Sequence, residues 1–124
     1  MNLNKVFLIG RLGADPIERE TSKGETVMNF SLATNSGWGD TIKTDWHKVV
    51  AFGKLASGAS GADLAKGQEM FVEGRIAYGK YTDKNGVERI TSDIIASKIE
   101  YGARVRGRNS DEQQDNSGDS NIPF

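Results

Sequence analysis

The chain has 124 residues, with 16 Lys and Arg against 17 Asp and Glu, one His and no Cys, which predicts a single domain burying roughly two-thirds of its unfolded surface around one modest core. The lack of Cys excludes disulfides, thiolate metal sites and Cys nucleophiles, and with His47 as the sole imidazole a zinc centre or a Ser/His/Asp triad is poorly supplied. The apolar run Val6–Ile9 falls far short of the ~18 residues of a membrane span and has no signal-peptide layout. The expectation is a soluble, cytoplasmic protein with no cofactor and no membrane partner.

The elements, in chain order, alternate short β-segments with Gly, Asn and Asp. Lys5–Leu12 is rich in β-branched and aromatic residues and stops near Gly13 and Asp15-Pro16, where Pro has no N–H for a ladder. Thr26–Thr34 alternates Met28, Phe30 and Leu32 with Asn29, Ser31 and Ala33, the period-2 signature of a half-buried strand. Thr44–Phe52 is the third strand. After Gly53, the Ala-rich stretch Leu55–Lys66 predicts a helix with a Gly stop at Gly67, weakened by Ser57, Gly58 and Gly61. Gln68–Lys80 and Arg89–Ile99 flank Thr82-Asp83-Lys84-Asn85-Gly86, where Asn-Gly supplies the positive φ of a hairpin turn. Five strands with one helix between the third and fourth predict an all-β fold, a five-stranded Greek-key barrel of the OB type.

The near-zero net charge averages two unlike pieces. Up to Arg108 there are 16 basic and 13 acidic residues, a net +3; Asn109–Phe124 carries −4. Such asymmetry accompanies an acidic tail on a body with an anionic partner. Gly107–Ser120 contains no apolar residue, and such a composition cannot offset the entropy cost of ordering. The expected organisation is a folded domain over 1–105 and a disordered linker with an acidic tip over 106–124. Ile122-Pro123-Phe124 ends that polar tail with two large apolar groups, as a terminal peptide ligand would; docking on its own barrel is the alternative.

Phe7, Phe30 and Phe71 lie in apolar runs and read as core. Trp38 lies in the loop Asn35-Ser36-Gly37-Trp38-Gly39-Asp40, with no apolar neighbour to pack it. Trp46, Lys48, Val50 and Phe52 share one face of their strand, and His47, Val49 and Ala51 the other. Tyr78, Lys80, Tyr81, Lys84 and Arg89 repeat the mixture of rings and cations at the hairpin. Rings stack on unpaired bases at ~1–3 kcal/mol each while cations track phosphates, so the pattern suits single-stranded nucleic acid. For any single ring, packing or a cross-strand pair is the alternative. His47 reads as a hydrogen-bonded strand residue. The carboxylate pairs Asp40/Asp45 and Glu18/Glu20 read as solvated, and no phosphate-loop motif is present.

These residues carry a resemblance. Asn4-Lys5-Val6 with Leu8-Ile9-Gly10, Leu12-Gly13, Asp15-Pro16, Phe30–Thr34, Trp46–Val50, Phe52–Ala56, Lys66-Gly67, Val72-Glu73-Gly74, Tyr81-Thr82-Asp83 and the terminal Ile122-Pro123-Phe124 resemble the bacterial-type single-stranded DNA-binding proteins. The resemblance implies an OB-fold, assembled as a homotetramer, that coats single-stranded DNA without sequence preference and recruits replication, recombination and repair enzymes through its C-terminal tip. It implies Trp38, Trp46, Phe52 and Tyr81 as base-stacking residues. Tyr81 stands where the family commonly has Trp, a smaller stacking surface, and only Asp119 precedes the tip where the family usually carries an Asp run, which weakens electrostatic steering of partners.

The expected phosphate contacts are Lys5, Arg19, Lys48, Lys54, Lys66, Lys80, Lys84 and Arg89; Asp119, Ile122, Pro123 and Phe124 form the partner tip; His47 is a candidate subunit-interface residue. No catalytic or metal residue is expected. Two other readings compete: an OB-fold adaptor whose aromatic face is a protein interface, and a metal-dependent nuclease built on the carboxylate pairs.

Overall fold

A computed structural model describes residues 1–102; the tail from 103 onward, with Asp119, Ile122, Pro123 and Phe124, lies outside the described residues. β1 (Val6–Leu12) begins where the first β-branched residue follows the polar lead-in. β2 (Ile17–Glu20) is short, and all four of its residues are exposed. β3 (Thr26–Ser36) and β4 (Lys43–Phe52) form a hairpin whose tip carries one 3-10 turn over Gly39–Thr41. α1 (Gly53–Gly61) follows β4 directly, and β5 (Glu69–Thr82) and β6 (Glu88–Tyr101) complete the chain.

The pairing closes a barrel. β1 pairs antiparallel with β5, β5 with β6, and β4 with β3, while β6 and β4 run parallel through Val49–Ile94 and Val50–Ile95. Arg11–Ala33 and Leu12–Leu32 join β1 to β3 and close the ring. The five-stranded barrel therefore runs β1–β3–β4–β6–β5 and back to β1, with the helix between its third and fourth strands; this is the OB topology. β2 is an extra strand laid along β3 outside that ring. Ile-Glu-Arg-Glu has no core-facing alternation, so its strand character comes from backbone pairing alone, which sequence periodicity does not reveal.

Leu32, Met70, Val49 and Val72, from three different strands, fill the barrel centre with essentially no exposure. Leu12, Met28, Phe30, Ala51, Ile94 and Ala96 extend this core, and α1 closes one end with Ala56 and Ala59, three residues apart on its buried face. α1 ends earlier than the expected Lys66. Gly58 and Gly61 each disfavour helix by ~1 kcal/mol relative to Ala, and Asp63 adopts a left-handed φ of 55°. From there the chain is tied to the barrel by other bonds: the Lys66 N–H donates to Asp15 Oδ1 at 2.9 Å and the Gly67 N–H to the Leu12 carbonyl at 2.8 Å.

Phe7 corrects the expected core. Phe30 is buried and Phe71 half-buried, but Phe7 is 62% exposed and stacks on Phe71 with ring centroids 6.4 Å apart. Val6–Ile9 is apolar on both faces of β1, so composition could not say which residues look inward. Alternation sends Leu8 to the core and leaves Phe7 and Ile9 outside.

Candidate nucleic-acid interface

β4 supplies the central row. Val49 and Ala51 are buried, which fixes the strand's orientation, so Trp46, Lys48 and Phe52 look outward; Trp46 is 61% and Phe52 43% exposed. Val50 pairs with Ile95 of β6, which pairs with Arg75 of β5. Following alternation along β5 from Arg75 through Ala77 and Gly79 puts Tyr81 on the same outer face, opposite Arg89. Tyr78 and Lys80 fall on the other face of the hairpin. The mixture expected there thus divides into two sets, and Tyr81, 52% exposed, belongs with β4.

Trp38 stands at the tip of the β3–β4 hairpin and is 83% exposed. Thr41 pins its backbone: the Thr41 hydroxyl donates to the Trp38 carbonyl at 2.7 Å, and the Thr41 N–H donates to it at 3.1 Å. The ring is left in open water on an anchored mount. An open cavity of about 300 Å³ is lined by Lys48 and Val50 together with Ile17, Asn29, Ser31 and Asp93.

Every cation named from the sequence is exposed, but their settings differ. Lys5 pairs with Glu73 at 3.0 Å, beside Phe7 on the β1–β5 side of the barrel. Arg89 Nε donates to Asp83 Oδ2 at 3.0 Å, and Lys80 lies 3.8 Å from Glu88. Lys48 lies in the Trp46–Phe52 row and Lys54 in the first turn of α1 directly after it. Among the described residues no ion pair is formed by Arg19, Lys48, Lys54, Lys66 or Lys84. His47 is half-buried on the face opposite Trp46, with Nε2 2.9 Å from the Thr34 hydroxyl.

The carboxylate pairs do not converge. Glu18 accepts the Ser60 hydroxyl at 2.6 Å and Asp45 sits 3.9 Å from Lys43. Among the described residues no group of three or more His, Asp or Glu could hold a metal ion, and no helix is long and apolar enough to cross a membrane. Sequence reasoning missed Ile95 and Arg75 because they reach the β4 face only through the non-local parallel pairing of β4 with β6. It also missed Gly13, which abuts Trp46.

A closed OB barrel with rings and cations exposed along one outer face defines a class of oligonucleotide-binding modules. The model of the single-strand binding protein family matches residues 3–101, and the chain belongs to that family. It is 44% identical over 114 residues to the single-stranded DNA-binding protein of Neisseria meningitidis, covering 88% of this chain and 63% of that protein. It is 41% identical over 112 residues to single-stranded DNA-binding protein 1 of Chlorobaculum tepidum, covering 85% of this chain and 68% of that one. The chain thus spans a little under two-thirds of the length of the Neisseria relative. Among solved structures, the Plasmodium falciparum SSB in complex with ssDNA superposes with a TM-score of 0.75 at 32% identity, covering 83% of this chain and 97% of that one.

Proposed function

We propose that this protein binds single-stranded DNA without sequence preference and protects it during replication, recombination and repair. Binding is passive, with no turnover. One observation carries the reading: Trp46, Lys48, Val50 and Phe52 form an unbroken outward row on β4, and strand register adds Tyr81 to the same face. Bases stack on Trp38, Trp46, Phe52 and Tyr81, while Lys48 and Lys54, beside the β4 row, run along the phosphates. A duplex has no free base faces to offer these rings. The likeness to an SSB solved with ssDNA supports the same reading.

In this reading residues 1–105 form the DNA-binding domain, and 106–124 a linker whose tip, Asp119 with Ile122, Pro123 and Phe124, recruits partner enzymes. The protein works in the cytoplasm at the nucleoid as a homotetramer. Phe7, Ile9 and Phe71, on the barrel side away from the β4 row, supply one subunit contact, and His47 is a second candidate.

The test is quenching of Trp fluorescence by oligo(dT), beside a duplex of equal length, at low and high salt. Strong quenching by the single strand alone, weakening with salt, is expected because Trp38 and Trp46 are the only tryptophans. No change with either DNA at low salt would overturn the reading and leave the aromatic face as a protein interface. Deleting Ile122–Phe124 should abolish partner capture without lowering DNA affinity; capture that survives would sink the role of the tip.

A further inference from the structure

We infer that Gly13 is a positioning residue for base stacking: it sets where the Trp46 indole lies by having no β-carbon. The inference rests on the stacking role proposed for Trp46. Arg11, Ala33 and Trp46 form one cross-strand row through β1, β3 and β4, and Gly13 lies two residues beyond Arg11. Its backbone cannot retreat, because the Gly13 N–H donates to the Ser31 carbonyl at 3.0 Å and continues the β1–β3 junction by one bond.

A β-carbon built on Gly13 would collide with Trp46 Cζ3. It would lie 3.1 Å from both Cε3 and Cη2, the atoms on either side, inside the ~3.5–4.0 Å of ordinary carbon contact. Cζ3 is much the nearest of the three, so the collision falls on that rim atom of the six-membered ring. Gly13 therefore lets the rim of the indole lie against the end of β1. Backbone freedom does not explain the glycine, since Gly13 is not among the residues with positive φ. Adding the methyl leaves the backbone at ease and acts on the ring. Trp46, being mostly exposed, can swing away, so the penalty falls on the aim of the ring and not on the core.

The test is a double-mutant cycle on the full chain, reading affinity for oligo(dT) and thermal midpoint. Gly13→Ala should weaken binding by about five-fold or more, the lower end of one lost base stack, with the thermal midpoint little changed. In a Trp46→Ala background, where no ring remains to displace, Gly13→Ala should cost nothing further. An equal loss in both backgrounds would overturn the inference and mark Gly13 as a structural glycine. If Gly13→Ala fails to fold, adding Trp46→Ala should restore folding; failure of the double variant to fold would also overturn it.

A second reading needs no DNA. In a Trp38→Phe chain, where Trp46 is the sole emitter, Gly13→Ala should shift the emission and raise acrylamide quenching; an unchanged spectrum refutes the positioning role. If Trp46→Ala itself leaves affinity intact, the stacking proposal fails, whereas a moved emission with intact affinity would still place Gly13 against the ring.

Discussion

Asp83 holds Arg89: the guanidinium Nε donates to Oδ2 at 3.0 Å, while Oδ1 accepts the N–H groups of Asn85 at 2.9 Å and Val87 at 3.0 Å. One carboxylate thus organises the whole turn between β5 and β6, with Gly86 at φ 80° completing it. Tyr81 lies two residues before Asp83, so the turn also steadies the ring proposed to stack there. The same contact holds the Arg89 guanidinium through Nε, across the strand pair from Tyr81.

The Asp83 carboxyl sits below its ordinary value of 3.8, first because the Val87 amide donates to the ionised form and then because Arg89 does. A depressed folded value means that the turn's stabilisation is complete above 3.8 and is lost as pH falls through the lower, folded value. The protection factor of the Val87 amide against exchange should therefore hold down to about pH 4 and fall below it. In Asp83→Asn that acid-dependent step should vanish. An acid profile identical in the variant would show that another group governs the turn.

The salt dependence of binding separates the cations by place. Single-strand affinity falls with a log–log slope of about −0.7 per neutralised phosphate, so Lys48→Ala and Lys54→Ala should each lower the slope by roughly that amount and weaken all sequences alike. Lys5 is tied to Glu73 beside Phe7, away from the β4 row. Lys5→Ala should leave the slope unchanged. A fall as large as that of Lys48→Ala would bring the DNA path round to the β1–β5 side.

Most of the barrel is legible in the sequence because its strands are half-buried: Met28, Phe30 and Leu32 on β3, and Val49 and Ala51 against Trp46 and Lys48 on β4, carry the period-2 signal in their composition. Three features are not. β2 has no buried face, so nothing in Ile17–Glu20 marks it as a strand. Phe7 lies in a run apolar on both faces, which hides its orientation. Tyr78 and Tyr81 are near neighbours in sequence but face opposite ways, and only the pairing of β5 with β6 shows which ring joins the β4 row. The rings themselves are evident from composition; the surface they share comes from non-local pairing, above all the parallel join between β4 and β6.

Phe7 offers a test of assembly. A Phe side chain gains ~1.5–3 kcal/mol on full burial, so an exposed Phe7 stacked on Phe71 with Ile9 nearby would be favoured at the proposed subunit contact. Phe7→Glu should reduce the proposed tetramer to a smaller species in light scattering while circular dichroism stays native, because the barrel core does not include it. His47→Glu is the companion variant. A tetramer that survives Phe7→Glu and dissociates with His47→Glu would move the interface to the other face of β4.

Asn4 shows how a polar lead-in residue can do a strand's work. Its side-chain amide donates to the Ile76 carbonyl at 2.8 Å, and its Oδ1 accepts the Ile76 N–H at 3.0 Å. The carboxamide thus copies a backbone pair and carries the β1–β5 ladder past Val6–Gly74, where β1 pairing ends. Ile76 packs against the barrel core just beyond the irregularity at Glu73/Gly74, so this bond holds β5 where it departs from β1 toward the hairpin. Removing the amide leaves the Ile76 backbone groups partnered by water at an exposed site, which limits the loss to about 1–2 kcal/mol for two hydrogen bonds. Asn4→Ala should lower the thermal midpoint accordingly and speed amide exchange at Ile76, and Asn4→Asp, which sets a carboxylate oxygen against the Ile76 carbonyl, should lose at least as much. A midpoint unchanged in Asn4→Ala would mean that β5 beyond Gly74 is held by its pairing with β6 alone.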